Sequence, residues 1–290
     1  MTLTRTHRLR RLAVFLSAVA LVVASMIPAV SAAGGYDFPA GAVPVRVTLD
    51  GEAVLTEEAV IIDSVTYVPL RSFSELAGAD SVQWNAKTGT ATVTKGSTVI
   101  SVTDGAYYII ASGRYFYTNQ RVLNISNRLF VPIRPIAKAF CVDVEWDNGS
   151  RTVVLETTGK TLTPASAYYD ADDLYWLSRI ISAESAGESL YGQIAVGNVV
   201  LNRVESRQFP NTVYGVIFDR VGGTQFSPVS MGTIYNKPAA SSVIAAKICL
   251  EGYSISDEIL FFMNPRIATS NWISKNRPFA FTIGNHDFYK

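Results

Sequence analysis

The chain has 290 residues, 25 Lys and Arg against 24 Asp and Glu, and a formal net charge of +1. That balance excludes a polycation and with it nucleic acid as an expected partner. With 48% apolar residues it can fill two domains of ordinary size. Two cysteines make no disulfide framework, and two histidines leave no material for a histidine-built metal or copper site.

The first 32 residues read as a secretory signal. Arg5, Arg8, Arg10 and Arg11 form a basic start, and an apolar run follows over residues 12–27. Pro28 and the small residues Val30-Ser31-Ala32 then offer a cleavage site. The same run left uncut would be an anchor, although it is short for a membrane span. The expected location is therefore outside a bacterial cell, secreted or wall-associated. Removing residues 1–32 takes away four arginines and no acid, so +1 becomes −3. Attraction to anionic wall polymers or lipid headgroups would then be weak. Of the two histidines only His286 remains, and no metal or cofactor is expected.

Residues 45–156 read as β-rich. Short runs of Val, Ile, Thr and Tyr alternate with the turn signals Asp50-Gly51, Thr88-Gly89 and Asn148-Gly149. The segment also repeats itself. Tyr67-Val68-Pro69-Leu70-Arg71 recurs as Phe130-Val131-Pro132-Ile133-Arg134. Each copy is followed by a helical stretch (72–77 and 135–140), a tryptophan (Trp84 and Trp146) and a final strand (90–93 and 152–155). Two copies of one supersecondary unit are expected to pack together. This doubled signature resembles the copper amine oxidase N-terminal-like domains, found as stalks on exported bacterial proteins. Tyr107, Tyr108, Tyr115, Phe116 and Tyr117 are either core packing or a sugar-stacking surface. Cys141 here and Cys249 further on are either two buried thiols or a bridge between domains.

Residues 157–170 form a linker, rich in Thr, Gly, Ser and Pro up to residue 166. After it the period becomes helical. Asp172-Asp173 can cap a helix carrying Leu174, Leu177, Ile180 and Ile181, which Gly187 ends. Ser189 can cap a second helix through Val204, and a third spans residues 239–251 before Gly252. Residues 259–289 read as extended, with turns at Asn264-Pro265 and Gly284-Asn285. The expected architecture is multi-domain: a duplicated β-rich (α+β) stalk, then a mainly α domain over residues 171–290 with a small β element.

Glu184 is the leading chemical candidate. It stands near the end of the first helix beside Ile180, Ile181 and Ala183, where partial burial would raise its pKa. A carboxyl that keeps its proton near neutrality suits an acid catalyst of glycosidic cleavage; the alternative is a solvated helix glutamate.

Around it lie Gly192-Gln193-Ile194-Ala195-Val196, Val200-Leu201-Asn202-Arg203-Val204, Gln225-Phe226-Ser227-Pro228, Phe262-Met263-Asn264-Pro265 and Gly284-Asn285-His286-Asp287-Phe288-Tyr289. In order and spacing these resemble the cell wall hydrolase family that includes the spore cortex-lytic enzymes, across residues 172–290. The resemblance implies a lysozyme-like fold and cleavage between N-acetylmuramic acid and N-acetylglucosamine. It places the catalytic acid at Glu184, and peptidoglycan becomes the expected partner. A wall polymer or accessory protein on the stalk is a second possible partner.

With one carboxyl the expected outcome is a lytic transglycosylase, whose product is a 1,6-anhydro sugar. A hydrolase or muramidase would need a second carboxylate, and a wall-binding protein would need none. Glu188, one turn on, is the candidate for that second role or else a cap at the helix junction, with Asp219 and Asp287 behind it. Arg203, Gln225, Phe226, Ser227, Asn264, His286 and Tyr289 are candidates for holding substrate. Relatives of that family usually carry a small helical peptidoglycan-binding module before the catalytic domain. The β stalk replaces it here, which leaves vegetative wall and spore cortex equally open as substrate.

Overall fold

The computed structural model describes residues 35–56 and 58–290. The expected secretory signal lies outside the described residues. The N-terminal half begins with β1 (Val43–Pro44), β2 (Arg46–Leu49), β3 (Glu52–Val54), β4 (Val60–Ile62), β5 (Val65–Pro69) and α1 (Leu70–Leu76). It continues through β6 (Ser81–Asn85), β7 (Thr90–Lys95), β8 (Thr98–Thr103), β9 (Tyr108–Ala111) and β10 (Arg114–Tyr117). It closes with β11 (Leu123–Ile125), β12 (Arg128–Pro132), α2 (Ile133–Ala139), β13 (Val142–Asp147) and β14 (Thr152–Thr157).

These strands form three sheets, ordered β1-β4-β5-β12-β11, β10-β9-β8-β7-β6 and β13-β14-β2-β3. The two Val-Pro motifs are sheet neighbours: β5 and β12 run antiparallel with Val68 opposite Val131. Proline lacks the N–H that a ladder needs, so Pro69 and Pro132 end their strands and become the residues before α1 and α2. The following arginines act alike, Arg71 donating to the Val82 carbonyl (3.3 Å) and Arg134 to that of Val144 (3.2 Å). The parallel pairing of β14 with β2 joins the end of this half to its beginning.

The second half holds α3 (Ala165–Tyr168), α4 (Ala171–Ser185), α5 (Leu190–Glu205), α6 (Val213–Phe218), α7 (Ser227–Met231) and α8 (Ala240–Leu250). After these come β15 (Phe261–Met263), α9 (Trp272–Asn276), β16 (Phe279–Ile283) and β17 (His286–Tyr289). The last three strands make one antiparallel sheet, β15-β17-β16. Helices α4, α5 and α8 share a core that includes Leu177, Ile180, Ile181, Val196, Val199, Ala246 and Cys249. Gly197 lets them approach: a Cβ there would stand 2.7 Å from Cys249 Sγ and 2.8 Å from Ile181 Cδ1. Ser189 caps α5 by accepting from the Gly192 N–H at 3.2 Å. The cap of α4 is Asp170 rather than Asp172-Asp173, its carboxylate accepting from both of their N–H groups at 2.9 and 3.0 Å. Asp170 lies one residue before the first helical residue, where those N–H groups have no helical partner.

Residues 157–170 are packed rather than loose. Leu162 is buried in the stalk core and Ala165 N–H donates to the Ser112 carbonyl. The two halves then meet around Glu251, just past α8. Arg114 on β10 grips its carboxylate with two bonds of 2.7 Å, Tyr169 donates to the same group at 2.7 Å, and Lys138 donates to the Glu251 carbonyl at 2.9 Å. Both Arg114 and Glu251 are buried, and the Arg114 guanidinium lies over the Tyr168 ring. Two further bonds cross the junction, Lys247 to the Gly113 carbonyl (3.1 Å) and the Tyr253 hydroxyl to Asn119 (2.8 Å). Cys141 and Cys249 are both free, the first half-buried and the second buried.

Candidate active site

Glu184 is the second-last residue of α4, and its carboxyl faces a cleft of about 1480 Å³. The cleft runs between the end of α4, the loop and start of α7, β15 with the turn after it, and α9. Burial pushes the Glu184 carboxyl up to about 7. A group there is divided between acid and carboxylate at neutral pH, so it can both give and take a proton.

Glu188 is the other carboxylate of the cleft among the described residues, and its condition is the opposite. The Asn285 side-chain amide donates to it at 2.8 Å and the Asn285 N–H at 3.2 Å, and these bonds hold it below the usual carboxylate range. Its carboxylate rests directly against Gly284, whose φ of +59° shapes the β16–β17 turn. His286 Nδ1 is 3.7 Å away, but burial lowers the imidazole pKa and favours its neutral form. Glu188 thus ties the α4–α5 junction to the β hairpin. Asp219 and Asp287 do not line the cleft: Asp219 accepts from the Val221 N–H, and Asp287 from the Thr282 hydroxyl.

Arg203, Gln225, Phe226, Ser227, Asn264 and His286 all line the same cleft. Their engagements differ. Arg203 is buried among the rings of Phe209, Phe226 and Phe261 and donates Nε to the Leu260 carbonyl at 2.7 Å. Its Nη1 has no partner, and burial draws its pKa down to about 10. Gln225 is spent on its own loop, donating to the Val221 carbonyl at 2.9 Å. Phe226 is core, and Asn264 accepts from the Arg266 N–H in a turn of its own. Ser227 opens α7. Tyr289 is the exception. It is buried in β17 opposite Phe261, with its ring against Phe279, and does not line the cleft.

Among the cleft residues the sequence does not single out, two stand out. Trp272, half exposed at the start of α9, and Arg277, whose Nε is buried without a partner, face the cleft together. The signal was an isolated tryptophan in a polar run, Asn271-Trp272-Ile273-Ser274-Lys275-Asn276-Arg277, which forms no periodic pattern.

The chain's likeness to known proteins divides at the same junction. Residues 187–289 match the Cell Wall Hydrolase family and residues 48–155 the copper amine oxidase N-terminal domain. The first match begins three residues after Glu184. A spore cortex-lytic enzyme of Bacillus cereus is 39% identical over 122 residues, 42% of this chain and 46% of that protein. That of Bacillus subtilis is 38% identical over 120 residues, 41% of this chain and 38% of that protein. The chain thus spans less than half the length of these curated relatives. The solved catalytic domain of the germination-specific lytic transglycosylase SleB from Bacillus anthracis is 38% identical, covering 44% of this chain and all of that one, with a TM-score of 0.39. Residues 187–289 thus carry the likeness to the Cell Wall Hydrolase family and to the spore cortex-lytic enzymes, and residues 48–155 the likeness to the copper amine oxidase N-terminal domain.

Proposed function

We propose that this chain cleaves the glycan strand of peptidoglycan between N-acetylmuramic acid and N-acetylglucosamine, as a lytic transglycosylase working through Glu184. The observation that carries the reading is that Glu184 is, among the described residues, the cleft carboxyl left without a partner, with burial pushing it up to about 7, while the Glu188 carboxylate is taken up by two hydrogen bonds from Asn285. Protonated Glu184 gives its proton to the glycosidic oxygen as the bond to the anomeric carbon breaks towards an oxocarbenium-like state. The muramic acid's own 6-hydroxyl then attacks that carbon and returns its proton to Glu184. The anhydro ring closes, no water is consumed, and the carboxyl ends as it began. A nucleophile already attached to the substrate needs no second carboxylate to fetch it.

The domains are taken as residues 45–156 and 171–290. The stalk is read as two copies of one unit, joined through β5 and β12, which hold the helical domain against the wall after export. The likeness to spore cortex-lytic enzymes supports peptidoglycan as the substrate class. A direct test is release of soluble glycan from purified peptidoglycan by residues 33–290. Release is expected from the natural chain and not from Glu184→Gln. Equal release by that variant would remove Glu184 from the reaction.

A further inference from the structure

A second cavity, of about 660 Å³, lies at the junction of the two halves and is separate from the Glu184 cleft. Tyr107, Tyr117 and Asn119 of the stalk form one wall; Ser189, Tyr191 and Tyr253 of the helical half form the other. The rings of Tyr107, Tyr117 and Tyr191 make a near-parallel row across the junction, with 6.4 Å between successive centroids and interplanar angles of 15° and 24°. Tyr253 packs on Tyr117 at 4.5 Å and its hydroxyl donates to Asn119, which braces the middle of the row. Tyr107 and Tyr191 remain 38% and 39% exposed.

Among the described residues the lining itself is uncharged, and Arg121 brings a charge beside it, donating to the Tyr107 hydroxyl at 2.9 Å and lying 5.0 Å from its ring centroid. Aromatic faces beside hydroxyl and amide groups complement a ligand with apolar C–H faces and many hydroxyls. The volume lies within the usual range for a small-ligand site. Glu188 lines the catalytic cleft and its chain neighbour Ser189 lines this cavity, so the α4–α5 junction lies between the two.

We propose that the junction pocket is a second carbohydrate-binding site, taking a pyranose ring and complete only while the stalk is docked. That the sugar belongs to a peptidoglycan strand rests on the function proposed above; that the pocket binds pyranose does not. The stalk then contributes to substrate binding directly, beyond serving as a spacer.

The test uses residues 33–290 carrying Glu184→Gln, so that nothing is cut, titrated calorimetrically with the tetramer of N-acetylglucosamine. Tyr107→Ala with Tyr191→Ala should abolish one binding event or weaken it about tenfold, the loss of two modest ring contacts. Tyr→Phe at both positions should keep it. Ser254→Trp, which fills the exposed rim without removing a ring, should also block it. Unchanged stoichiometry and affinity in the double alanine and Ser254→Trp variants would overturn the proposal. The readout is binding, so it stands or falls independently of whether the natural chain releases glycan.

Discussion

Replacing Glu184 by glutamine should stabilise the protein, and by an amount that depends on pH. The carboxyl is raised from an ordinary 4.5 to about 7 by burial. At ~1.4 kcal/mol per pH unit, the ionised group costs the folded state up to about 3 kcal/mol. Below pH 4.5 both folded and unfolded chains hold the proton, and there is no penalty. Between 4.5 and 7 the unfolded chain releases its proton first, so the folded state binds more protons and stability falls as pH rises. Above 7 the full penalty is present. Glutamine has a similar shape and no charge to desolvate, so the variant lacks this term. Urea unfolding of both proteins from pH 4 to 8 isolates it, because all other carboxylates cancel in the difference. The gap should widen with pH in favour of Glu184→Gln and level off above 7. A gap independent of pH would refute the claim that burial holds this proton, and with it the acid role.

Three further outcomes follow from the packing. Glu251→Ala leaves Arg114 buried without its carboxylate and should lower global stability by about 3–5 kcal/mol in thermal unfolding of the whole chain, with no effect meaning the junction is not formed in solution. Gly197→Ala pushes a methyl group into Cys249 and Ile181 and should cost about 1–3 kcal/mol by the same measurement, provided the helices are as close as described. An aromatic disulfide reagent should titrate half-buried Cys141 in the folded protein; Cys249, whose thiol burial pushes up, should react only on unfolding.

Much of this molecule was legible because its signals are local. Helix α5 starts at the Ser189 cap, and the glycine after α8 carries a φ of +84°, so one-residue chemistry marks both boundaries. The start of α4 was misplaced because Asp170, Asp172 and Asp173 crowd one turn and each could serve as a cap. Helices α6, α7 and α9 are five or six residues long, too short to display a period. The junction was invisible for a different reason. Arg114 and Glu251 are 137 residues apart, and nothing in the surroundings of either indicates the other. Within the site, Glu184 stood out as a carboxyl set among apolar helix residues. For Tyr289, its place in a terminal motif does not tell which face of β17 it takes. The orientation is set by pairing with Phe261, which only the folded sheet supplies.

The most direct measurement is mass spectrometry of the muropeptides that residues 33–290 release from purified peptidoglycan, with Glu184→Gln alongside. Single-carboxyl chemistry predicts 1,6-anhydro-muramic ends from the natural chain and none from the variant. Reducing muramic ends would contradict it, because water would then be the nucleophile and a second carboxylate, first of all Glu188, would have to activate it.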